Sequence, residues 1–315
     1  MTKQITFFLV MLVFGDSMYA QSVGINDDGS SPNSKAMLDV KSTTKGLLPP
    51  RMTEAERNAI TVAPAGLIIW CTNCGASGEM QVYNGTAWTN MVGGSASPAP
   101  FVCGDPLVDA RDNKSYSTVL IGTQCWMAQN LNVGTKINGS GNQENNNIIE
   151  KYCYDDIESN CDTYGGLYQW TEAMQYSTTP GVRGLCPAGW HFPTDAEWTT
   201  LTSYVNSQTS YQCSSTSGCI GKAMAAMTLW NSSTETCTPG NNLSLNNATG
   251  FLALPGGIRA NSMTFFFIGS YGFWWNSSEN STTSAWERDM DYNGCSVYSA
   301  GNVKDNGFSV RCVQD

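Results

Sequence analysis

The chain is poor in charge, and most of the charge that it carries is negative. Only 13% of its 315 residues are charged, and 26 acidic residues against 16 basic ones give a formal net charge of −10. Proteins that bind phosphate backbones or anionic lipid surfaces concentrate lysine and arginine on one face. The composition therefore predicts that nucleic acid is not a partner.

Long apolar runs are also missing. The run over residues 5–14 is too short to cross a bilayer, which takes about 20 apolar residues, and no later segment is longer. Lys3 precedes this run and Ala20 follows it, which is typical of a secretory signal. No cysteine stands at the Ala20–Gln21 junction, so a lipid anchor is not expected. We predict a signal peptide over residues 1–20 and a secreted or cell-surface protein without a membrane span.

Histidine is nearly absent, which excludes a histidine cluster. His191 is the only one, and beside Trp190 and Phe192 a packing role is the expected one, since no nucleophile motif accompanies it. Cys71 and Cys74 have redox or zinc spacing, but no second pair of this spacing is present, which favours a disulfide. We predict no catalytic residues and no enzymatic activity.

Cysteine, by contrast, is abundant. Twelve cysteines in a chain with an export signal predict disulfides, and each bridge over a long loop removes about 3–5 kcal/mol of denatured-state freedom. The sequence does not fix the connectivity. We expect three short pairs, Cys71 with Cys74, Cys153 with Cys161 and Cys213 with Cys219, and three longer pairs, Cys103 with Cys125, Cys186 with Cys312 and Cys237 with Cys295.

The clearest helix signal lies within residues 184–201. Thr194 and Glu197 have the spacing of a capping box, which places the helix N-cap at Thr194. Its apolar stripe comprises Trp198, Leu201 and either Tyr204 or Val205. After residue 250, short aromatic runs predict strands of an antiparallel sheet at 251–254, 265–268, 271–275, 285–290, 295–298 and 308–313.

Several sequence blocks occur in one order across the second half of the chain. They are residues 112–131, 164–170, 186–191, 254–257, 273–275 and 307–313. Together they resemble the Fibrobacter succinogenes major paralogous domain over residues 103–315. The resemblance implies an α+β fold of the C-type-lectin-like and formylglycine-generating-enzyme-like kind, stapled by disulfides and carrying long irregular loops.

The first part of the mature chain reads as a small β-rich domain. Thr53 and Glu56 form a second capping box for a helix ending near Ile60, and Asn84-Gly85 is a strong turn signal between strands. Blocks 36–53, 64–67 and 83–88 resemble a tail-fibre-like unit of exported Bacteroidetes proteins, over residues 21–92. The resemblance implies fibre association and a homo-oligomer. Residues 93–102 read as a linker.

The polar, turn-rich stretch 21–52 cannot form a core alone. One reading is that it adds strands to the sheet edge of a neighbouring subunit, where main-chain hydrogen bonds supply the contact. The other is that it lies on its own domain. Both readings stay open at this point.

Two candidate sites lie in the last third of the chain. Asp289, Asp291 and Asn293 begin like a calcium loop, but Ala300 stands where an EF-hand has its glutamate. A looser calcium site is the one cofactor that the sequence suggests. The candidate ligand-binding residues are aromatic side chains that can stack on sugar rings, namely Tyr271, Trp274 and Trp275.

Three functions are compatible with these features. The first is a non-enzymatic exported structural or adhesive protein that self-assembles, as an oligomer or a fibre, through residues 21–92 and displays the lectin-like domain. The second is a monomeric module that binds glycan or a surface protein through loops 138–147 and 206–218 and the 271–275 aromatics. The third is an oxidase of the formylglycine-generating kind, which needs reactive cysteines.

Overall fold

The computed structural model describes residues 22–91, 94–95 and 101–315. The predicted signal peptide and most of the predicted linker lie outside these ranges. The chain divides into two compact units between Pro100 and Phe101. In the N-terminal unit the elements are β1 (Val23–Asn26), β2 (Leu38–Lys41), β3 (Arg51–Met52), α1 (Glu54–Asn58), β4 (Ile68–Cys71), β5 (Glu79–Tyr83) and β6 (Trp88–Asn90).

The N-terminal unit contains two separate sheets. Strands β1 and β2 form a parallel pair, and β3–β4–β5–β6 form a four-stranded sheet in chain order. The predicted capping box at Thr53 and Glu56 is confirmed, although α1 ends at Asn58. The Asn84-Gly85 turn is confirmed as well, because the Asn84 side chain accepts two backbone N–H bonds and closes the β5–β6 connection. The small core of this unit lies around Ile69 and the Cys71–Cys74 disulfide.

The second unit, residues 101–315, is called the body here. Its helices are α2 (Glu158–Tyr164), α3 (Trp170–Ala173), α4 (Asp195–Ser207) and α5 (Gly221–Met224), with 3₁₀ turns at Tyr154–Asp156, Cys213–Ser215 and Leu243–Leu245. Its strands are β7 (Leu107–Val108), β8 (Ser115–Tyr116), β9 (Thr118–Ile121), β10 (Gln124–Met127), β11 (Thr135–Lys136), β12 (Glu150–Lys151), β13 (Tyr168–Gln169), β14 (Trp190–His191), β15 (Gly256–Arg259), β16 (Phe265–Ile268), β17 (Tyr271–Glu279), β18 (Ser284–Asp291), β19 (Tyr298–Val303), β20 (Gly307–Phe308) and β21 (Val313–Gln314).

A mixed sheet of seven strands organises the body. Its order is β13-β20-β15-β17-β18-β19, and β16 forms antiparallel bonds with β15 outside this order. A second sheet has the order β14-β21-β10-β9. The sheet was predicted to be antiparallel and without a strand at 256–259. That strand is present as β15 and runs parallel to β17 through Gly257 and Gly272, and a further parallel bridge joins Trp274 to Ser309, so the antiparallel prediction is wrong at both places. A Cβ on Gly272 would lie 2.5 Å from the Leu254 carbonyl oxygen, so only glycine permits this approach.

Helix α4 begins where the sequence predicts. The Thr194 hydroxyl accepts from the Glu197 N–H and the Glu197 carboxylate accepts from the Thr194 N–H, so the capping box is confirmed. The helix buries Trp198, Leu201 and Val205, whereas Tyr204 is partly exposed.

Strand β17 lies between two hydrophobic cores. Trp274 points to the core beneath α4, where Trp198 and Trp126 pack with ring centroids 4.9 Å apart. Trp275 points to the opposite core and stacks on Phe308 at 4.2 Å. Successive residues of a strand face opposite sides of its sheet, so two adjacent tryptophans fill two cores.

Two predicted strands in this region are wrong because other contacts use their backbone. Residues 251–254 form no strand, since Arg311 takes the carbonyl oxygens of Phe251 and Leu252 and the Trp230 indole takes that of Ala253. The strand predicted at 295–298 begins instead at Tyr298. The run 308–313 is interrupted, with only its two ends in strands.

The core contains a polar network that was not predicted from the sequence. Arg311 is its centre. Its fully buried guanidinium donates to Asn130 Oδ1 at 2.8 Å and to the Leu252 carbonyl at 2.7 Å, and it lies over the Phe251 ring. Asn130 Oδ1 also accepts from the Trp274 indole at 2.8 Å. A buried cation is tolerated because its donors are all directed at oxygen atoms and an aromatic face.

All twelve cysteines are paired, and four of the six predicted disulfides are confirmed. The confirmed bridges are Cys71–Cys74, Cys103–Cys125, Cys153–Cys161 and Cys186–Cys312.

The predicted pairs of Cys213 with Cys219 and of Cys237 with Cys295 are wrong. Cys213 is bonded to Cys237, and Cys219 to Cys295. The loop between residues 213 and 219 is closed by a backbone bond, Cys213 N–H to the Cys219 carbonyl at 3.1 Å. The Gly221 N–H then donates to the Cys295 carbonyl at 2.8 Å, which holds Cys295 beside Cys219.

Candidate functional site

The parallel pair β1–β2 presents one face made only of apolar side chains. Val23 lies opposite Leu38 and Ile25 lies opposite Val40, so these four side chains share a face. They are 55%, 55%, 57% and 41% exposed, respectively. We call these four residues the apolar face.

The opposite face of the pair is already covered. The connection over residues 27–37 crosses it, and Pro32 lies so close to Gly24 that a Cβ there would be 3.3 Å from the proline ring. The Asn33 N–H donates to the Asp39 carboxylate at 2.8 Å, and Lys41 pairs with Asp28 at 2.6 Å. The crossover therefore packs on the polar side of the pair and leaves the apolar face open.

An isolated two-stranded sheet is marginal in water, and a contiguous exposed apolar patch usually marks an interaction surface. Leu47 and Leu48, which follow β2, are exposed too. The arrangement is thus suited to bury its apolar face against another surface of the same kind. The apolar face is visible in the sequence as alternating apolar residues in 23–26 and 38–41. The interpretation of 21–52 as a polar arm did not use this alternation.

The candidate ligand-binding aromatics occupy different environments. Trp274 and Trp275 are fully buried, and their indole N–H groups donate to Asn130 Oδ1 at 2.8 Å and to the Tyr168 carbonyl at 2.9 Å. Both are core residues because the two faces of β17 are covered, so neither offers a ring face to a ligand. Tyr271 is half-buried, stacks on Phe273 at 5.5 Å, and stays a candidate.

The predicted calcium ligands are not gathered around one point. Asp289 lies on β18 opposite Phe273, while Asp291 accepts the Asn293 N–H at 3.0 Å in a turn. The Asn293 side chain accepts from the Ser233 hydroxyl. Among the described residues, no group of three or more His, Cys, Asp or Glu side chains is arranged to hold a metal ion. Calcium binding here stays a prediction.

The two loops predicted to carry recognition also have structural contacts. Arg259 donates to the carbonyl oxygens of Gly139 and Gly141 at 2.9 and 2.7 Å, which ties loop 138–147 to β15. Loop 206–218 is held at its middle by the Cys213–Cys237 bridge. Its two ends are joined by the Gly218 N–H, which donates to the Asn206 side chain at 2.7 Å.

A cleft of about 540 Å³ in the body is lined by three cationic side chains, Arg111, Lys114 and Lys151. Each already has a protein acceptor. Arg111 binds the Asp109 carboxylate with two nitrogens, Lys114 donates to the Asn132 carbonyl at 2.6 Å, and Lys151 donates to Asn132 Oδ1 at 2.6 Å. Burial, assisted by the nearby Lys114, lowers the pKa of Lys151. The cleft is consistent with a structural polar network.

His191 has a packing and pairing role, as its surroundings in the sequence suggest. Its Nε2 lies 2.7 Å from Glu197 Oε1 and its Nδ1 lies 2.8 Å from Asp315 Oδ1, so the ring ties β14 to the start of α4. The bond to Glu197 and then that to Asp315 raise the pKa of His191, against burial. Burial raises the pKa of Glu197, but its bonds to His191 and Thr194 outweigh this and lower it.

We expect the free energy of unfolding of the body to fall as the pH rises from below 6.5 into the alkaline range. His191 has a raised pKa in the folded state, so its stabilisation is complete below the unfolded value of 6.5 and disappears as the pH passes through the folded value. Urea titrations across this range measure the change, and His191→Gln should flatten it. Wild-type midpoints that do not change with pH would contradict this expectation.

No helix in the described part of the chain is long and apolar enough to cross a bilayer.

Comparison with known proteins yields two family matches. Residues 119–314 match the model of the Fibrobacter succinogenes major domain, and residues 24–102 match a phage tail like trimerisation region. No curated protein and no solved structure matches the chain. The second match contains the apolar face almost entirely, from residue 24 onward.

Proposed function

Because the chain belongs to the Fibrobacter succinogenes major domain family, we propose that it is an exported, non-enzymatic structural protein whose residues 24–102 join copies of the chain. The body is then displayed on the assembly as its adhesive part. The observation that carries this proposal is the apolar face of β1–β2, which is open while the polar face beneath the crossover is covered.

A three-chain assembly follows from combining this face with the matched trimerisation region. In a closed ring of three, each copy turns its apolar face to the common axis, and Val23, Ile25, Leu38 and Val40 of every copy leave water together. Burial of apolar surface contributes about 25 cal/mol per Å². The same burial organises a two-stranded sheet that is marginal by itself.

The non-enzymatic part of the proposal has its support in the cysteines. An oxidase of the formylglycine-generating kind needs reactive thiols, whereas all twelve cysteines of this chain are in disulfides. The pair with redox spacing, Cys71 and Cys74, is fully buried. Six disulfides also support a location outside the reducing cytoplasm, at the cell surface or beyond it. The C-type-lectin-like fold stays a prediction.

Light scattering of the chain from residue 21 onward tests the proposal, with a chain that starts at residue 101 as the comparison. Both cysteines of each of the five disulfides of the body lie within residues 101–315, so the shorter chain can form all five. We expect three-chain mass for the longer protein and single-chain mass for the body. Single chains in both would instead support a monomeric binding module. Negative-stain images then distinguish separate trimers from a fibre.

A further inference from the structure

A ladder of aromatic rings leads from the core of the body to its surface. Trp275 stacks on Phe308 at 4.2 Å, Phe308 on Phe273 at 5.0 Å, and Phe273 on Tyr271 at 5.5 Å. The edge of the ladder is Phe267, whose ring meets Tyr271 at 5.3 Å and which is 48% exposed. The exposed rings therefore rest on a rigid base of buried ones.

Phe267 adopts an unfavourable backbone conformation in this position. Its φ of 73° lies in the left-handed region, which non-glycine residues rarely adopt. The neighbouring Phe266 is 43% exposed as well, so two large aromatic rings on the short strand β16 are partly exposed to solvent. Backbone strain that presents apolar rings to solvent is typical of a binding surface.

Carboxylates lie beside these rings in cross-strand register. Asp291 on β18 is opposite Tyr271, Asp289 is opposite Phe273, and Tyr298 on β19 is opposite Asp289. Residues directly opposite in an antiparallel pair share a face, with Cβ atoms about 5 Å apart. We call Phe267, Tyr271, Phe273, Asp289, Asp291 and Tyr298 the aromatic strip.

A buried acid beneath the strip has an oxygen without a partner. Glu287 is 1% exposed, lies beside Asp289 on the same face of β18, and its Oε2 has no hydrogen-bond partner. Burial first, then the nearby Asp289, raises the pKa of Glu287 to about 9, and burial also raises the pKa of Asp289. Buried polar atoms are seldom left unpaired except where a ligand or water completes the site.

We propose that the aromatic strip binds neutral polysaccharide chains. A sugar ring has C–H faces that pack on Phe267 and Tyr271, and hydroxyl groups at its edge that donate to Asp289 and Asp291. An apolar protein partner would bury these carboxylates without counter-charge, which is costly. Anionic glycans and nucleic acids are repelled by Asp289 and Asp291. Arg288, between them and Glu287 in sequence, does not neutralise these carboxylates, because it points to the other face and pairs with Asp195.

Affinity electrophoresis of the full chain in gels containing soluble neutral polysaccharides tests the strip. The probes are xyloglucan, mannan and mixed-linkage β-glucan, with polygalacturonate as the anionic comparison. We expect retardation by at least one neutral polymer and none by polygalacturonate. Phe267→Ala and Asp289→Ala should each raise the dissociation constant about tenfold or more, because each removes a direct contact. Tyr204→Ala, which removes a partly exposed ring on α4, is the matched control.

Three results would overturn the proposal. They are mobility unchanged by every neutral polymer, equal retardation of the strip variants and the wild type, and retardation by polygalacturonate alone. Near-ultraviolet circular dichroism verifies that the variants are folded. Light-scattering mass must stay unchanged in them, so a failure of sugar binding is distinguished from a failure of assembly through residues 24–102.

Discussion

Ile25→Asp is expected to convert the assembled protein into single chains. In the proposed three-chain assembly Ile25 lies at the centre of the apolar face, opposite Val40, and an aspartate there is buried near two symmetry-related copies of itself. Burying unpaired carboxylates costs several kcal/mol, and like charges add to the cost. A loss of about 4 kcal/mol weakens assembly roughly a thousandfold. Sedimentation velocity and light scattering at micromolar concentration measure the change.

Asn26→Asp is the matched control for this variant. It introduces the same charge one residue further along β1, but on the face that the crossover covers, where Asn26 Oδ1 already accepts the Gly29 N–H at 3.0 Å. An aspartate oxygen keeps that bond and loses only the exposed one that Asn26 Nδ2 donates to the Ser30 carbonyl at 2.8 Å, so the assembly should keep its mass. Ile25→Val should keep it too. If Ile25→Asp remains assembled, or if Asn26→Asp dissociates equally, the apolar face is not the contact between chains.

Replacing Cys186 and Cys312 together by alanine is expected to cause the largest loss of stability in the body. This bridge joins residues 126 positions apart, and both sulfurs lie in the core around Trp275. Closing a loop of this length restricts the denatured chain by about 5 kcal/mol. That is a large part of the 5–15 kcal/mol that stabilises a typical domain. Calorimetry should show a melting temperature lower by about 10–20 °C.

The bridge between Cys153 and Cys161 gives the comparison. It is also buried in the body, but its cysteines are only 8 positions apart, so alanine at both should cost about half as much, roughly 2.5 kcal/mol. Equal losses from the two double variants would show that stability depends on local packing of the sulfurs and not on loop closure.

Local signals predicted local structure well. The capping boxes at Thr53 and Thr194 and the turn at Asn84 involve residues three or fewer positions apart, and all three are present. Contacts over longer distances were predicted unevenly. The bridge of Cys186 with Cys312 was anticipated, whereas the partner of Cys219 depended on a backbone bond from Gly221 to Cys295, which no spacing rule contains.

The candidate sites show the same division. Aromatic content marked the 271–275 region as a binding surface, but which rings reach solvent depends on what covers each side of β17. Trp274 and Trp275 are covered on both sides, and Phe267, from a different strand, supplies the exposed ring. Glu287 was not singled out, since its unpaired oxygen is visible only when its neighbours are known.

By itself, the sequence determined that the cysteines form disulfides, that the chain has two parts, the family of the body and the starts of the two capped helices, because these depend on composition or on neighbours along the chain. Only the tertiary structure decided which cysteines pair beyond residue 200, which aromatics are core, and which face of β1–β2 is left open. These outcomes depend on segments that are distant in sequence, such as Arg311 occupying the carbonyls of 251 and 252 and the crossover covering Gly24. These contacts stabilise the protein only once the distant segments have packed together.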